Sequence, residues 1–213
     1  MARPIHIILG TGNKGALIIM RAKLSITFAI IVSVALTAAC SGSPATCPEM
    51  GVIASVDDST SPLNMDNRVG SKAPNFTWQV IDCESLEAVG QTLNLSDLQG
   101  TPVIIAFHKR HGCPGCQQQT PYVQALYDRR GGAELAVLTI YRGDSASQVR
   151  DYVGGQGYVL PALADANDKV GTEYGFAPGA PITVFVDVDG VIRAEKVGPL
   201  ESQDEIEGIL DSL

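Results

Sequence analysis

Val103-Ile104-Ile105-Ala106-Phe107-His108-Lys109-Arg110-His111-Gly112-Cys113-Pro114-Gly115-Cys116 is the stretch that decides the fold. Its first five residues are apolar and mostly β-branched, which reads as a buried strand. A basic turn follows, then two cysteines three residues apart with a proline behind the first. Proline suits a first helical position, because its φ is already fixed and its missing N–H would find no helical partner there. Cys113 is therefore expected at the N-cap of a helix over 114–129, with Cys116 one turn on and on the same face.

That placement favours redox chemistry. A thiolate at Cys113 would accept bonds from the free N–H groups of the helix start and feel the positive end of its dipole. Lys109, Arg110 and a protonated His111 would push the same way, so the pKa is expected below the free-thiol value of about 8.5. Cys116 is near enough to close a disulfide, one thiol attacking and the other resolving. Two other uses of such a pair compete. A structural zinc site needs four ligands, and the chain has no second Cys-x-x-Cys and three histidines, His6, His108 and His111. An inert structural bridge usually closes a longer loop. The redox reading calls for no metal and no cofactor.

Upstream of the motif, Phe76 to Ile81 and Gln91 to Leu95 are strand candidates, with Ser96-x-x-Gln99 as a capping box for a short turn. Downstream, the helix over 114–129 buries Val123, Leu126 and Tyr127, and Pro121 is expected to kink it. A strand over 134–141 comes next, then a helix opened by Ser145-x-x-Gln148 and running to about Val153. A third helix, with Asp165 as N-cap, runs to about Tyr174. The runs 182–187 and 191–195 form a hairpin around Asp189-Gly190. The closing helix opens with Ser202-x-x-Glu205 and buries Ile206, Ile209, Leu210 and Leu213, spaced i, i+3, i+4, i+7. Alternating strands and helices followed by a hairpin imply an α/β fold, a central mixed sheet with helices on both faces.

The N-terminus has a different character. Met20-Arg21-Ala22-Lys23 is a short basic region, and Leu24 to Ala39 is apolar apart from two serines and two threonines, so residues 1–39 read as an export signal whose true start is Met20. The apolar run falls short of the roughly 18 residues of a membrane span. Leu36-Thr37-Ala38-Ala39-Cys40 resembles a bacterial lipobox, which implies cleavage before Cys40 and lipidation of its sulfur, although Thr37 stands where a large aliphatic residue is usual. Residues 40–68, rich in Ser, Pro, Thr, Asp and Asn, read as a tether, and 69–213 as one domain. Gly10-Thr11-Gly12-Asn13-Lys14-Gly15 matches a dinucleotide fingerprint in form only, because the first acid of the chain is Glu49, too far on to hold a ribose. The first 39 residues hold four basic groups and no acid, which leaves 11 of 15 Lys and Arg against all 23 Asp and Glu, a net of −12. Such a surface argues against nucleic acid as a partner.

The order of motifs, with Cys113-Pro114-Gly115-Cys116 after a buried strand, Pro121-Tyr122 behind it, and Gly179-Ala180-Pro181-Ile182 opening a late strand, resembles the thioredoxin fold. The similarity is to the membrane-tethered TlpA/ResA type of thiol-disulfide oxidoreductases and covers 69 to the end. It implies a redox-active Cys113–Cys116 disulfide and a cis Pro181 against that pair. The Ala180 backbone beside it would be free to pair with an extended substrate. The resemblance further implies disulfide-bearing protein clients, apocytochromes c among them, a transmembrane electron donor, and a location outside the cytoplasm on a lipid anchor. Three positions depart from the pattern. Gly112 replaces the usual aromatic residue, Phe107 the buried acid of thioredoxin, and Gln119 the glutamate of ResA-like proteins. An amide cannot take up a proton, so proton handling for Cys116 falls to water, His108 or His111. All three side chains are otherwise read as solvated. Cys47 and Cys83 are left over, either bridged to each other or unpaired. Two other functions compete with disulfide reduction: a copper chaperone using the two thiolates and a histidine, and a thiol peroxidase. The peroxidase motif would need Pro and Thr or Ser at 106 and 110, where this chain has Ala106 and Arg110.

Overall fold

The computed structural model describes residues 47–57, 62–64, 68–132, 134–176 and 181–213. Eight strands make one sheet: β1 (Met50–Val56), β2 (Phe76–Ile81), β3 (Ala88–Asn94), β4 (Val103–His108), β5 (Ala136–Arg142), β6 (Ala162–Asp165), β7 (Ile182–Val186) and β8 (Ile192–Val197). Their order is β3-β2-β1-β6-β5-β4-β7-β8. Strands β1, β6, β5 and β4 run parallel, β2 and β7 flank them antiparallel, and the edge strands β3 and β8 pair antiparallel with β2 and β7. The helices are α1 (Pro114–Arg130), α2 (Ala146–Gln156), α3 (Lys169–Glu173) and α4 (Gln203–Leu210), with a 3-10 turn over Leu95–Leu98.

Strand β4 is buried along its whole length. It lies between β5 and β7, so both of its edges are hydrogen-bonded and both faces are covered. Its alternate side chains go to opposite layers. Ile104 packs with Val123 and Leu126 of α1 and Ile206 and Leu210 of α4, whereas Ile105 and Phe107 join Leu138, Ile140, Val170 and Tyr174 on the other side. Each such side chain contributes roughly 1.5–3 kcal/mol by leaving water. Tyr141 shares the face of Val137 and packs with Val149 and Val153, so α2 lies in the same layer as α1 and α4. Successive crossovers from β4 to β5 to β6 that share one handedness require this.

Several expectations are corrected. The segment read as a tether is part of the sheet: Met50–Val56 pairs with β2 on one side and β6 on the other. Leu63 donates its N–H to the Glu173 carbonyl. Arg68, 2% exposed, binds the Glu195 carboxylate at 2.6 Å and caps the Gly175 carbonyl at 3.1 Å. Cys47 is joined to Cys83 in a disulfide with Cα atoms 6.0 Å apart, which fixes the pairing left open above. Asp165 ends β6, and the N-cap of α3 is Asp168. The Asp165 carboxylate still accepts from the N–H groups of Lys169 and Val170 at 2.9 Å, so it caps from one turn further back. The 3-10 turn is entered at Asn94, whose N–H goes to Asp97, instead of at Ser96. The export signal, Cys40, Ala180 and the peptide bond between Ala180 and Pro181 fall outside the described residues. No helix among the described residues is long and apolar enough to cross a membrane.

Candidate active site

Strand β4 ends at His108, and the turn over 109–112 carries the chain to the start of α1. Gly112 supplies the left-handed step, φ 71°, that the turn needs. Cys113 has extended φ, −129°, and is the N-cap of α1, with Pro114 as first helical residue. Its Sγ accepts the N–H of Cys116 at 3.2 Å. Its carbonyl accepts from Cys116 and Gln117. The two sulfurs are joined, with Cα atoms 5.3 Å apart, and the cysteines are 4% and 1% exposed. When the bond opens, the amide already aimed at Cys113 faces the sulfur that takes the negative charge, as an N-cap anion requires.

The basic turn contributes less than its composition suggests. Arg110 directs its Nε, at 3.3 Å, and its backbone N–H, at 3.2 Å, to the Asp144 carboxylate after β5. Its charge is largely offset there, which reduces what Arg110 can add to the helix-end amides. The Arg110 guanidinium also touches the ring of His111, which is exposed.

Pro181 opens β7 and lies over the dithiol loop. A Cβ added at Gly115 would sit 3.0 Å from Pro181 Cγ, 3.2 Å from Pro181 Cδ and 3.4 Å from Pro199 Cδ. A side chain at Gly115 would push these neighbours back by a few tenths of an ångström, and two proline rings form the wall beside it. Pro199 was not foreseen, since its contact depends on how β8 returns to α4.

His108 and Gln119 are not solvated. His108 is 2% exposed and Gln119 fully buried. The amide nitrogen of Gln119 lies 3.0 Å from His108 Nε2, and its oxygen accepts the N–H of Leu200 at 3.2 Å. Burial pushes the imidazole pKa down to about 4. Polar side chains on a helix and at a strand end read as solvent-facing in sequence; here Gln119 is met by the chain returning at Leu200, and His108 by Gln119 and the Tyr141 ring. Among the described residues no group of three or more His, Cys, Asp or Glu is arranged around a metal-sized space, and His108 Nε2 is already engaged.

Comparison with known proteins places these features among relatives. The model of the AhpC/TSA family matches residues 69–195. The thiol-disulfide oxidoreductase ResA of Bacillus thuringiensis is 26% identical over 146 residues, 68% of this chain and 79% of that one. A putative peroxiredoxin bcp of Coxiella burnetii is 30% identical over 143 residues, 61% of this chain and 88% of that one. Among solved structures, a putative thiol:disulfide interchange protein DsbE from Chlorobium tepidum superposes with a TM-score of 0.57 at 18% identity, over 68% of this chain and 96% of that one. A putative thioredoxin from Neisseria meningitidis gives 0.55 at 26% identity, over 67% and 89%. The likeness in fold therefore spans nearly the whole of these smaller domains.

Proposed function

The chain belongs to the AhpC/TSA family of thioredoxin-fold proteins, and from that premise we propose that it is an extracytoplasmic thiol-disulfide oxidoreductase that reduces disulfides in client proteins. One observation carries the reading: Cys113 stands at the N-cap of α1 with the Cys116 N–H on its sulfur and the Cys116 sulfur bonded to it. In the reduced protein the Cys113 thiolate attacks a client disulfide, one client sulfur leaves as thiolate, and a mixed disulfide forms. Cys116 then gives up its proton and attacks Cys113 Sγ, releasing the second client sulfur and restoring the Cys113–Cys116 bond. The client gains two electrons and the protein loses them. Continued reduction needs a donor dithiol, which outside the cytoplasm would belong to a membrane protein.

The wall of Pro181 and Pro199 beside Gly115 supports docking of an extended client next to the dithiol, ahead of β7, with the Ala180 backbone as its hydrogen-bonding partner. The signal-like residues 1–39 and the lipobox-like run to Cys40 support the location on a lipid anchor, and apocytochromes c are the client class that the ResA likeness suggests. Replacing Cys116 with Ser should leave clients trapped on Cys113, releasable by dithiothreitol. Absence of any trapped protein, together with no dithiothreitol-dependent change at Cys113, would remove the exchange role.

Peroxide reduction is a second reading because relatives at 30% identity are peroxiredoxins. Arg110 occupies the place of the peroxide-orienting hydroxyl and is tied to Asp144, so peroxide turnover is expected to be slow beside dithiol exchange. Peroxide consumption faster than exchange with a protein disulfide would reverse that order.

A further inference from the structure

One polar cluster beneath the dithiol has no part in the exchange steps above. Gln119 lies one turn after Cys116 on the buried face of α1 and joins two other elements. Its Oε1 accepts the Leu200 N–H at 3.2 Å, just past Pro199, and its Nε2 meets Nε2 of His108, the last residue of β4, at 3.0 Å. The orientation of the amide is fixed by the first bond, since a backbone N–H can only donate. Its nitrogen can only donate as well. His108 must therefore present a lone pair at Nε2 and carry its ring proton on Nδ1. A proton on Nε2 would set two donors face to face away from water, which costs about 1–3 kcal/mol for the group left unsatisfied.

We propose that Gln119 is a positioning residue for Cys116: through its two hydrogen bonds it fixes His108 as a neutral, Nδ1-protonated ring and keeps the interior beneath the dithiol free of formal charge in both redox states. The inference rests on the exchange role above for its consequence, though not for its test. Burial acts in the same direction as the hydrogen bonds, holding the imidazole at about 4. The groups packed around His108 agree with it. On β5 the Tyr141 ring lies 5.6 Å away, and burial keeps its phenol protonated. In the turns after β4 and β5, Arg110 and Asp144 pair with each other. On α1 the neighbour is Gln119, one turn on from Cys116. When the Cys113–Cys116 bond takes two electrons from a donor dithiol, whose own disulfide forms, the protons bound or released are those of the four sulfurs, with none taken up or lost by His108.

The direct test is the ring of His108 in the 15N-labelled full chain, followed by long-range proton–nitrogen correlation from pH 5 to 8, oxidised and reduced. The expected result is a single Nδ1–H form that does not titrate in either state. A proton on Nε2, or a midpoint inside that range, would overturn the proposal whether or not the protein exchanges disulfides. Gln119→Glu provides the second measurement. Its carboxylate can accept from His108, so a proton should move onto Nε2, and the midpoint potential against pH should gain an inflection that the parent lacks. A Gln119→Glu profile parallel to the parent's would count against the proposal, and should that variant fail to fold, the parent spectrum decides alone.

Discussion

At the scale of single residues, the site depends on two kinds of crowding. Gly115 is the second residue of α1, where Ala would gain less than the roughly 1 kcal/mol of helix propensity it gains in a helix interior, and its Cβ would meet Pro181 and Pro199 at 3.0–3.4 Å. Gly115→Ala is expected to fold with stability within about 2 kcal/mol of the parent while its kcat/KM for a disulfide-bearing protein falls at least several-fold, because the proline wall must move. Unchanged kcat/KM would show that the wall takes no part in docking. The second kind of crowding is the burial of His108. Its folded-state pKa of about 4 lies below the usual 6.5, so between those values the unfolded chain holds a proton that the folded one lacks. Stability is then full above about pH 6.5 and declines as pH falls toward 4, by a total on the order of 3 kcal/mol for one such group. Urea titrations across this range should show the decline, and His108→Asn should flatten it; a parent curve with no slope between pH 6.5 and 4 would mean that the ring is hydrated. Neither effect can be read in the sequence. Cys113 at an N-cap follows from Pro114 alone, but a histidine before a basic turn and a glutamine in a Gln-rich helix turn look solvated, because their partners Tyr141 and Leu200 come from distant parts of the chain.

At the scale of elements, what was legible had a local cause and what was missed did not. Strand β4, helix α1, the hairpin at Asp189-Gly190 and the capped starts of α2 and α4 each carry their signal within a few residues. Strands β1 and β6 do not. Ala162-Leu163-Ala164-Asp165 has small residues where β-branched ones are usual, and Met50–Val56 sits among turn-forming residues. Their parallel pairing joins segments about 110 residues apart, as parallel ladders must when a crossover intervenes. Helix α3 shows the same dependence. With five residues it is too short to persist alone, and the Asp165 carboxylate holds the N–H groups of Lys169 and Val170 at 2.9 Å and that of Gly171 at 3.4 Å. Arg142 ties the same turn by two bonds to Asp168, at 2.6 and 2.8 Å, and by one to the Phe176 carbonyl at 2.9 Å. Asp165→Ala should therefore cost about 1–3 kcal/mol through the donors left buried, seen as a lower urea midpoint at unchanged slope. A variant as stable as the parent would mean that solvent satisfies those amides.

At the scale of the whole molecule, the two disulfides occupy opposite ends of one sheet and divide its labour. Strands β1, β6, β5 and β4 are parallel, so the carboxyl end of β4, where Cys113 follows, is remote from the amino end of β1, which Cys47 precedes. Cys83 follows β2, antiparallel to β1, and so meets Cys47 at that remote end. The Cys47–Cys83 bridge closes a loop with a sequence separation of 36, against 3 for Cys113–Cys116. Loop-closure entropy assigns the longer bridge roughly 3–4 kcal/mol of stability. It holds the chain entering β1, a strand with antiparallel contact on one side and three parallel rungs on the other. Replacing Cys47 and Cys83 together with Ser should lower stability by about that amount, measured by urea with Cys113 and Cys116 kept oxidised. The midpoint potential of Cys113–Cys116 should stay the same, because nothing in the proline wall, the N-cap amides or the His108–Gln119 pair touches the lost bridge. A shifted potential in a variant that is still fully folded would show that the ends are coupled through the sheet, and the far bridge would then be a regulator of the site instead of a staple for β1.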